Sequence, residues 1–154
     1  MIQRIQSIWL LLAALAVLCL LFFPMAGSVT AQGYYLLTAT GLKLKDAADA
    51  SIQTHSSINI ALLIFTGVIV TIHLINIFNF RNRALQIRMV WTGILLIIAL
   101  SVWFFMLMKG IGEMKELDIE VPILLPLLAI IFDLFAVRGI KRDEKLIRSA
   151  DRLR

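Results

Sequence analysis

An all-α integral membrane fold, a bundle of four transmembrane helices, follows from three features of this chain. Four long apolar runs alternate with polar stretches, the positive charge of those stretches is lopsided, and the composition lies outside the globular range. The runs Ile8–Phe23, Ile58–Phe80, Met89–Met108 and Val121–Val137 are each about long enough to cross a hydrocarbon core of roughly 30 Å at about 1.5 Å per helical residue. Within such a core the backbone must bond to itself, which leaves helix as the structure of each run. Of 154 residues, 60% are hydrophobic and 16% charged. A single membrane domain over residues 1–154 is expected, with spans at about 7–24, 58–80, 86–108 and 121–140 and a tail over 141–154. The stretch from Pro24 to Ser57 is too short to bury a core alone.

Orientation follows from the basic residues. Arg4, the turn residues Arg81, Arg83 and Arg88, and the tail residues Arg138, Lys141, Arg142, Lys145, Arg148, Arg152 and Arg154 fall on one side. That is all but four of the 15 Lys and Arg. The other side holds Lys43, Lys45, Lys109 and Lys115, offset by Asp46, Asp49, Glu113, Glu116, Asp118 and Glu120. The positive-inside rule places both termini in the cytoplasm. Topology thus accounts for the net charge of +5, and no nucleic-acid partner is expected. A basic start, an apolar run and the small residues Ala26, Gly27 and Ser28 also resemble a cleavable signal peptide. The apolar run is longer than a signal core, so the expectation is that it is retained as the first span.

Ser7 is placed to cap the first span, and Pro24 to end it. In the loop that follows, Tyr34–Thr40 is rich in strand formers and Leu42–Lys45 alternates, with Gly41 between them, which predicts a short hairpin over the bundle mouth. Asp46–Ser51 can open a short helix before the second span. The tight turn Arg81-Asn82-Arg83 makes spans two and three antiparallel neighbours. Gly110-Ile111-Gly112 ends the third span, and the acidic Glu113–Glu120 reads as a solvated loop. Pro122 suits a first helical turn, whereas Pro126, deeper, predicts a bend. Ala136, Ile140, Leu146, Ile147, Ala150 and Leu153 share one helical face of an amphipathic basic C-terminal helix, suited to the anionic inner leaflet or to a protein, a solvated positive-inside tail being the alternative.

Charged and polar side chains inside a span are costly and mark candidate sites. Asp133 is the one acidic residue within a span, roughly 7 Å by helical rise from Arg138. His73, with Asn76 and Asn79, lies at similar depth in the second span, and Arg88 is near enough in depth to compete for the carboxylate. Either a proton-handling pair or a structural bond between helices fits these residues. Other chemistries fail on geometry. His55 and His73 lie on what reads as one helix, about 27 Å apart along its axis, too far to share a haem. The single Cys19 permits no internal disulfide, and there is no phosphate loop, nucleophile motif or metal-ligand cluster. No enzymatic activity, cofactor or metal is expected.

The two ends carry a resemblance. Met1-Ile2-Gln3-Arg4-Ile5-Gln6, then Ser7–Ala13, together with the tail Lys141–Arg154, are similar to a bacterial family of small four-span proteins known only as a domain of unknown function, family 4293. The resemblance implies a Gram-negative inner-membrane protein and no particular reaction, and it draws attention to the termini. The four-span layout with a β-prone first loop is also similar to claudin-like proteins in architecture, without their loop cysteine pair or Trp motif. The first expectation for function is therefore a non-enzymatic accessory or scaffold protein. It would bind membrane lipids and a membrane or cytoplasmic partner through Gln3, Arg4, Gln6, Arg148, Arg152 and Arg154. The second is a small proton-coupled transporter built on Asp133 and His73. A third, a lipid- or quinone-modifying subunit, rests only on Trp91, Trp103 and general apolarity, which interfacial aromatics explain.

Overall fold

Four helices carry the apolar runs, and strands from the connections before α2 and before α4 form a sheet. The computed structural model describes residues 3–30, 33–45, 55–80, 82–109 and 116–151. Helix α1 spans Gln3–Cys19, α2 Ile60–Phe78, α3 Arg83–Lys109 and α4 Leu125–Asp151. Strands β1 (Ala26–Thr30), β2 (Gly33–Thr38), β3 (Gly41–Lys45) and β4 (His55–Ile58) lie between α1 and α2, and β5 (Glu116–Ile119) precedes α4. The segments Ile60–Phe78, Arg83–Lys109 and Val121–Leu146 are long and apolar enough to cross a membrane, and α1 is a shorter apolar helix.

Helix ends follow local hydrogen-bond chemistry more closely than hydropathy. Ser7 lies inside α1 rather than capping it, because the helix starts at Gln3. At the other end the carbonyls of Val17, Leu18 and Cys19 are taken by the N–H groups of Leu20, Leu21, Phe22 and Phe23. This tightened turn satisfies the last carbonyls, so α1 stops short of Pro24. Asn59 caps α2, its Oδ1 accepting from Leu62 N at 3.2 Å. Asn82 does the same for α3, accepting from Leu85 N at 3.1 Å. Pro122 sits in a 3₁₀ turn, Val121–Leu124, ahead of α4. Pro126 is the second residue of α4, where a missing N–H costs no helical bond, so the bend expected there has no cause.

Each helix packs against its sequence neighbours, and α1 closes the ring against α4, which leaves α2 and α4 facing each other across a diagonal. Small buried residues, Ala13, Ala14 and Ala16 on α1 and Ala129 and Ala136 on α4, let the backbones approach. Trp9 packs on Phe132 and Phe135, with ring centroids 5.9 and 5.0 Å away. Facing outward are large apolar side chains such as Phe78, Leu95, Phe105 and Met106, the belt a lipid environment would cover.

The expected hairpin is present as β2 and β3, paired from Tyr34↔Lys45 to Thr38↔Gly41. Gly41 takes φ of 132°, a conformation that glycine alone enters readily. Two readings need correction. The acidic stretch before α4 does not stay a solvated loop: its residues Glu116–Ile119 form β5 and pair with β1, giving one antiparallel sheet of order β4-β3-β2-β1-β5. His55 lies in β4 rather than on one helix with His73, because its backbone pairs with Leu44 of β3 before α2 begins. The helix expected over Asp46–Ser51 and the Gly110–Gly112 end of the third span lie outside the described residues. The sheet joins the helix ends through Ala39 N to Leu20 O and Asn59 N to Thr40 O, and Glu120 N to Met25 O extends the β1–β5 pairing. Leu20, Met25, Leu37 and Ala39 continue the helix core, with Leu62, Leu100 and Phe104, into the underside of the sheet.

The β1–β5 register places Ser28 opposite Leu117, at the about 4.5–5.5 Å Cα spacing of antiparallel partners, which a disulfide can bridge. In a Cys19→Ser background, Ser28→Cys with Leu117→Cys should form an internal disulfide visible as a non-reducing gel shift. The offset pair Ser28→Cys with Ile119→Cys should cross-link far less. Equal cross-linking of both pairs would rule out this register.

Candidate functional site

Helical spacing brings one histidine, one carboxylate and one glycine to the same point in the core. On α2 the residues Leu62, Thr66, Ile69, His73 and Asn76 recur every three or four positions and form its buried face. Thr66 satisfies itself by donating its hydroxyl to Leu62 O. His73 cannot do so alone. Its Nδ1 bonds Ile69 O at 2.8 Å, one turn back. Its Nε2 lies 3.0 Å from Asp133 Oδ2 on α4. His73 is 2% exposed and Asp133 0%, so the pair is closed off from bulk water.

The hydrogen-bond inventory constrains the protons. A carbonyl only accepts, so the nitrogen facing Ile69 O carries a hydrogen. One further proton must then lie between Nε2 and Oδ2, on the carboxyl or on the imidazole. Either arrangement leaves the pair with no net charge, which is what a low-dielectric core tolerates. Adding or removing a proton would leave a net buried charge. The other carboxyl oxygen, Asp133 Oδ1, has no partner in this site, a loss on the order of 1–3 kcal/mol.

The diagonal reach of His73 requires space on α3, and Gly93 supplies it. A Cβ at Gly93 would stand 2.8 Å from His73 Cε1 and 3.0 Å from Nε2. The imidazole therefore lies directly on the α3 backbone. Toward the α2–α3 turn a second buried layer follows: Asn76 Nδ2 donates to Gln86 O at 3.2 Å, and Gln86 Nε2 donates to Asn76 O at 3.4 Å. Asn76 is thus in the same buried stripe but serves the turn rather than Asp133. Arg88 is a correction. It is exposed on α3, because Gln86, Val90 and Gly93 define the inward face and position 88 falls on the other side, so it does not compete for the carboxylate.

A further polar contact closes the opposite pair of helices. Gln6 Nε2 donates to Asp143 Oδ2, joining the start of α1 to the far part of α4, and both residues are 6% exposed. Gln6 also packs on Gly139, where a Cβ would come within 3.0 Å of its Cγ. Gln6 was expected on a partner-facing surface; it is instead turned into the α1–α4 interface, held there by Asp143. Gln3 and Arg4 lie in the first turn of α1 and Arg148 in α4, while Arg152 and Arg154 lie outside the described residues.

Gly93, Gln86 and Asp143 were not singled out from the sequence. Asp143 had a usable signal: it continues the buried α4 stripe of Ala129, Asp133, Ala136 and Ile140 at helical spacing, inside an otherwise basic run. Among the described residues no cluster of His, Cys, Asp or Glu is arranged to hold a metal.

Residues 2–153 match the model of the family described as a domain of unknown function, DUF4293, so the chain belongs to that family. No curated protein matches the chain.

The site predicts an order of stabilities. Asp133→Asn keeps an amide donor for Nε2 and should cost little. Asp133→Ala, which strands the buried imidazole nitrogen, and Gly93→Ala, which displaces the ring, should each cost about 1–3 kcal/mol. Thermal unfolding in mild detergent measures this, and equal melting temperatures for all three variants would contradict the geometry.

Proposed function

We propose that this family member is a non-enzymatic accessory or scaffold protein of the bacterial inner membrane, crossing it four times with both termini in the cytoplasm. A protein partner is held at the basic cytoplasmic end. The observation that carries this reading is the single, unbroken α4 from Leu125 to Asp151. At about 1.5 Å per residue it is longer than the roughly 30 Å hydrocarbon core requires. Its last turns therefore continue past the apolar section as an uninterrupted helical extension, carrying Lys141, Arg142, Lys145 and Arg148.

The Gln6–Asp143 bond supports presentation rather than a loose tail, since it ties α1 to the extension at the position where the apolar section ends. A tail lying flat on the leaflet would need a break between span and tail, and α4 has none. The lopsided Lys and Arg distribution supports the orientation. Membrane lipids and a protein are the partners in this reading, and nucleic acid is not.

One observation favours a second reading, a small proton-coupled transporter. The buried His73–Asp133 hydrogen bond lies beside an unpartnered carboxyl oxygen, the arrangement from which a proton could be exchanged if water or substrate reached it.

Charge reversal of Arg148, Arg152 and Arg154 should abolish co-purification of a stoichiometric partner, with the tag in the loop before α2 and insertion unchanged. Quantitative mass spectrometry of the purified complexes reads this, and a partner retained in full by the variant would overturn the scaffold reading. For the transporter, Asp133→Asn and His73→Ala should each remove a pH-driven flux in proteoliposomes that the wild type shows. No flux in the wild type would leave the pair a purely structural bond.

A further inference from the structure

At the sheet end of the bundle a cavity of about 160 Å³ lies where α3 meets the start of α4 beneath the sheet. Ser101, Phe104, Phe105 and Met108 of α3, Pro126 of α4 and Leu37 of β2 supply most of its wall. The wall asks for hydrocarbon. Its one hydroxyl, Ser101 Oγ, already donates to Ile97 O at 2.9 Å. Apolar cavities of about 150 Å³ stay dry and accept a benzene-sized guest, so this one has room for a short stretch of acyl chain.

A second observation says which hydrocarbon. Phe105, in the cavity wall, is 57% exposed and so opens the site to the surrounding lipid. Over its ring, 4.8 Å from the centroid, lies the ammonium of Lys109, the last residue of α3. Lys109 is exposed and makes no ion pair among the described residues. It stands one turn beyond Phe105, at the end of a membrane-length helix, where a phosphate headgroup would be. Apolar slot and cation are thus stacked in the order of a lipid's tail and head.

We infer that the cavity and Lys109 form a binding site for one anionic phospholipid of the leaflet next to the sheet, its acyl chain in the cavity and its phosphate against the lysine. The site is independent of the scaffold reading and of which membrane face the sheet occupies. It differs from general lipid contact in being concave and in pairing a defined cation with a defined slot. Free phosphate could meet Lys109 but would make no use of the cavity.

The test uses the full chain in phosphatidylcholine vesicles carrying a trace of phosphatidylglycerol with a photoreactive acyl chain. Irradiation followed by peptide mass spectrometry should concentrate label on residues 101–109 and 121–126. Filling the cavity with Ser101→Leu or, separately, Ile123→Phe should reduce that label to the level of the other lipid-facing helices. Lys109→Gln should lower the preference for phosphatidylglycerol over phosphatidylcholine tracer by about fivefold, the worth of one basic residue at a lipid surface. Even labelling of all outward helix faces, unchanged by a cavity-filling variant that melts like the wild type, would overturn the site. So would a cross-link between two copies of the chain through this groove. Equal labelling by the two headgroups in the wild type would overturn the role of Lys109.

Discussion

A hydrogen bond between two helices that stand across the bundle from each other, His73 on α2 and Asp133 on α4, constrains much of the rest. Helices on a diagonal are normally held apart by the side chains of the other two. Here the imidazole crosses that gap over the bare backbone at Gly93, with its second nitrogen held by Ile69 O. The bond therefore sets how closely α3 can approach, how α2 is rotated, and at what depth α4 sits. It also makes those settings mutually exclusive with others. A slip of either helix by one residue would leave a carboxyl and an imidazole unpaired in the core, a larger loss than any compensating apolar contact.

The same logic of specifying by polar pairs recurs at the end of the bundle away from the sheet. Gln6 and Asp143 register α1 against α4, and Asn76 and Gln86 register α2 against α3 at their turn. Elsewhere the packing is apolar, mostly Leu, Ile, Val and Ala with a few aromatic contacts such as Trp9 on Phe132 and Phe135. In a lipid-like surrounding, apolar contact gives little preference for one helix rotation over another, so alignment falls to the few polar groups and the small residues that let backbones meet. The sheet adds a mechanical link. Because β5 pairs with β1, the connection after α1 and the connection before α4 become one layer, and the two helices are tied at both ends.

How far the site could be read beforehand depends on which coordinate a residue's role needed. Depth along a helix is set by a fixed rise, so placing Asp133 and His73 level with each other needed only counting, and the structure joins them. Rotation about the axis depends on which face turns inward. Counting put Arg88 near Asp133 in depth, but position 88 faces outward on α3, and Gln6 looked like a surface residue until α4 covered it. Gly93 carries no chemistry at all, so no motif could mark it. Its role exists only because a ring from another helix occupies the place of its missing side chain.

Taken alone, the sequence determined the helical character of the chain, the approximate limits of its apolar runs, the β2–β3 hairpin around Gly41 and the asymmetry of its charge. All of these arise from neighbours within a few residues, or from the transfer of apolar surface out of water, and both act before any distant contact forms. Tertiary structure alone decided that an acidic stretch becomes the edge strand β5, that His55 pairs in the sheet rather than extending the helix of His73, and that Gln6 is the residue that meets Asp143. Each of these depends on a partner many residues away supplying the missing hydrogen bond. Such a pairing outweighs local preference only once the helices have brought the two segments together.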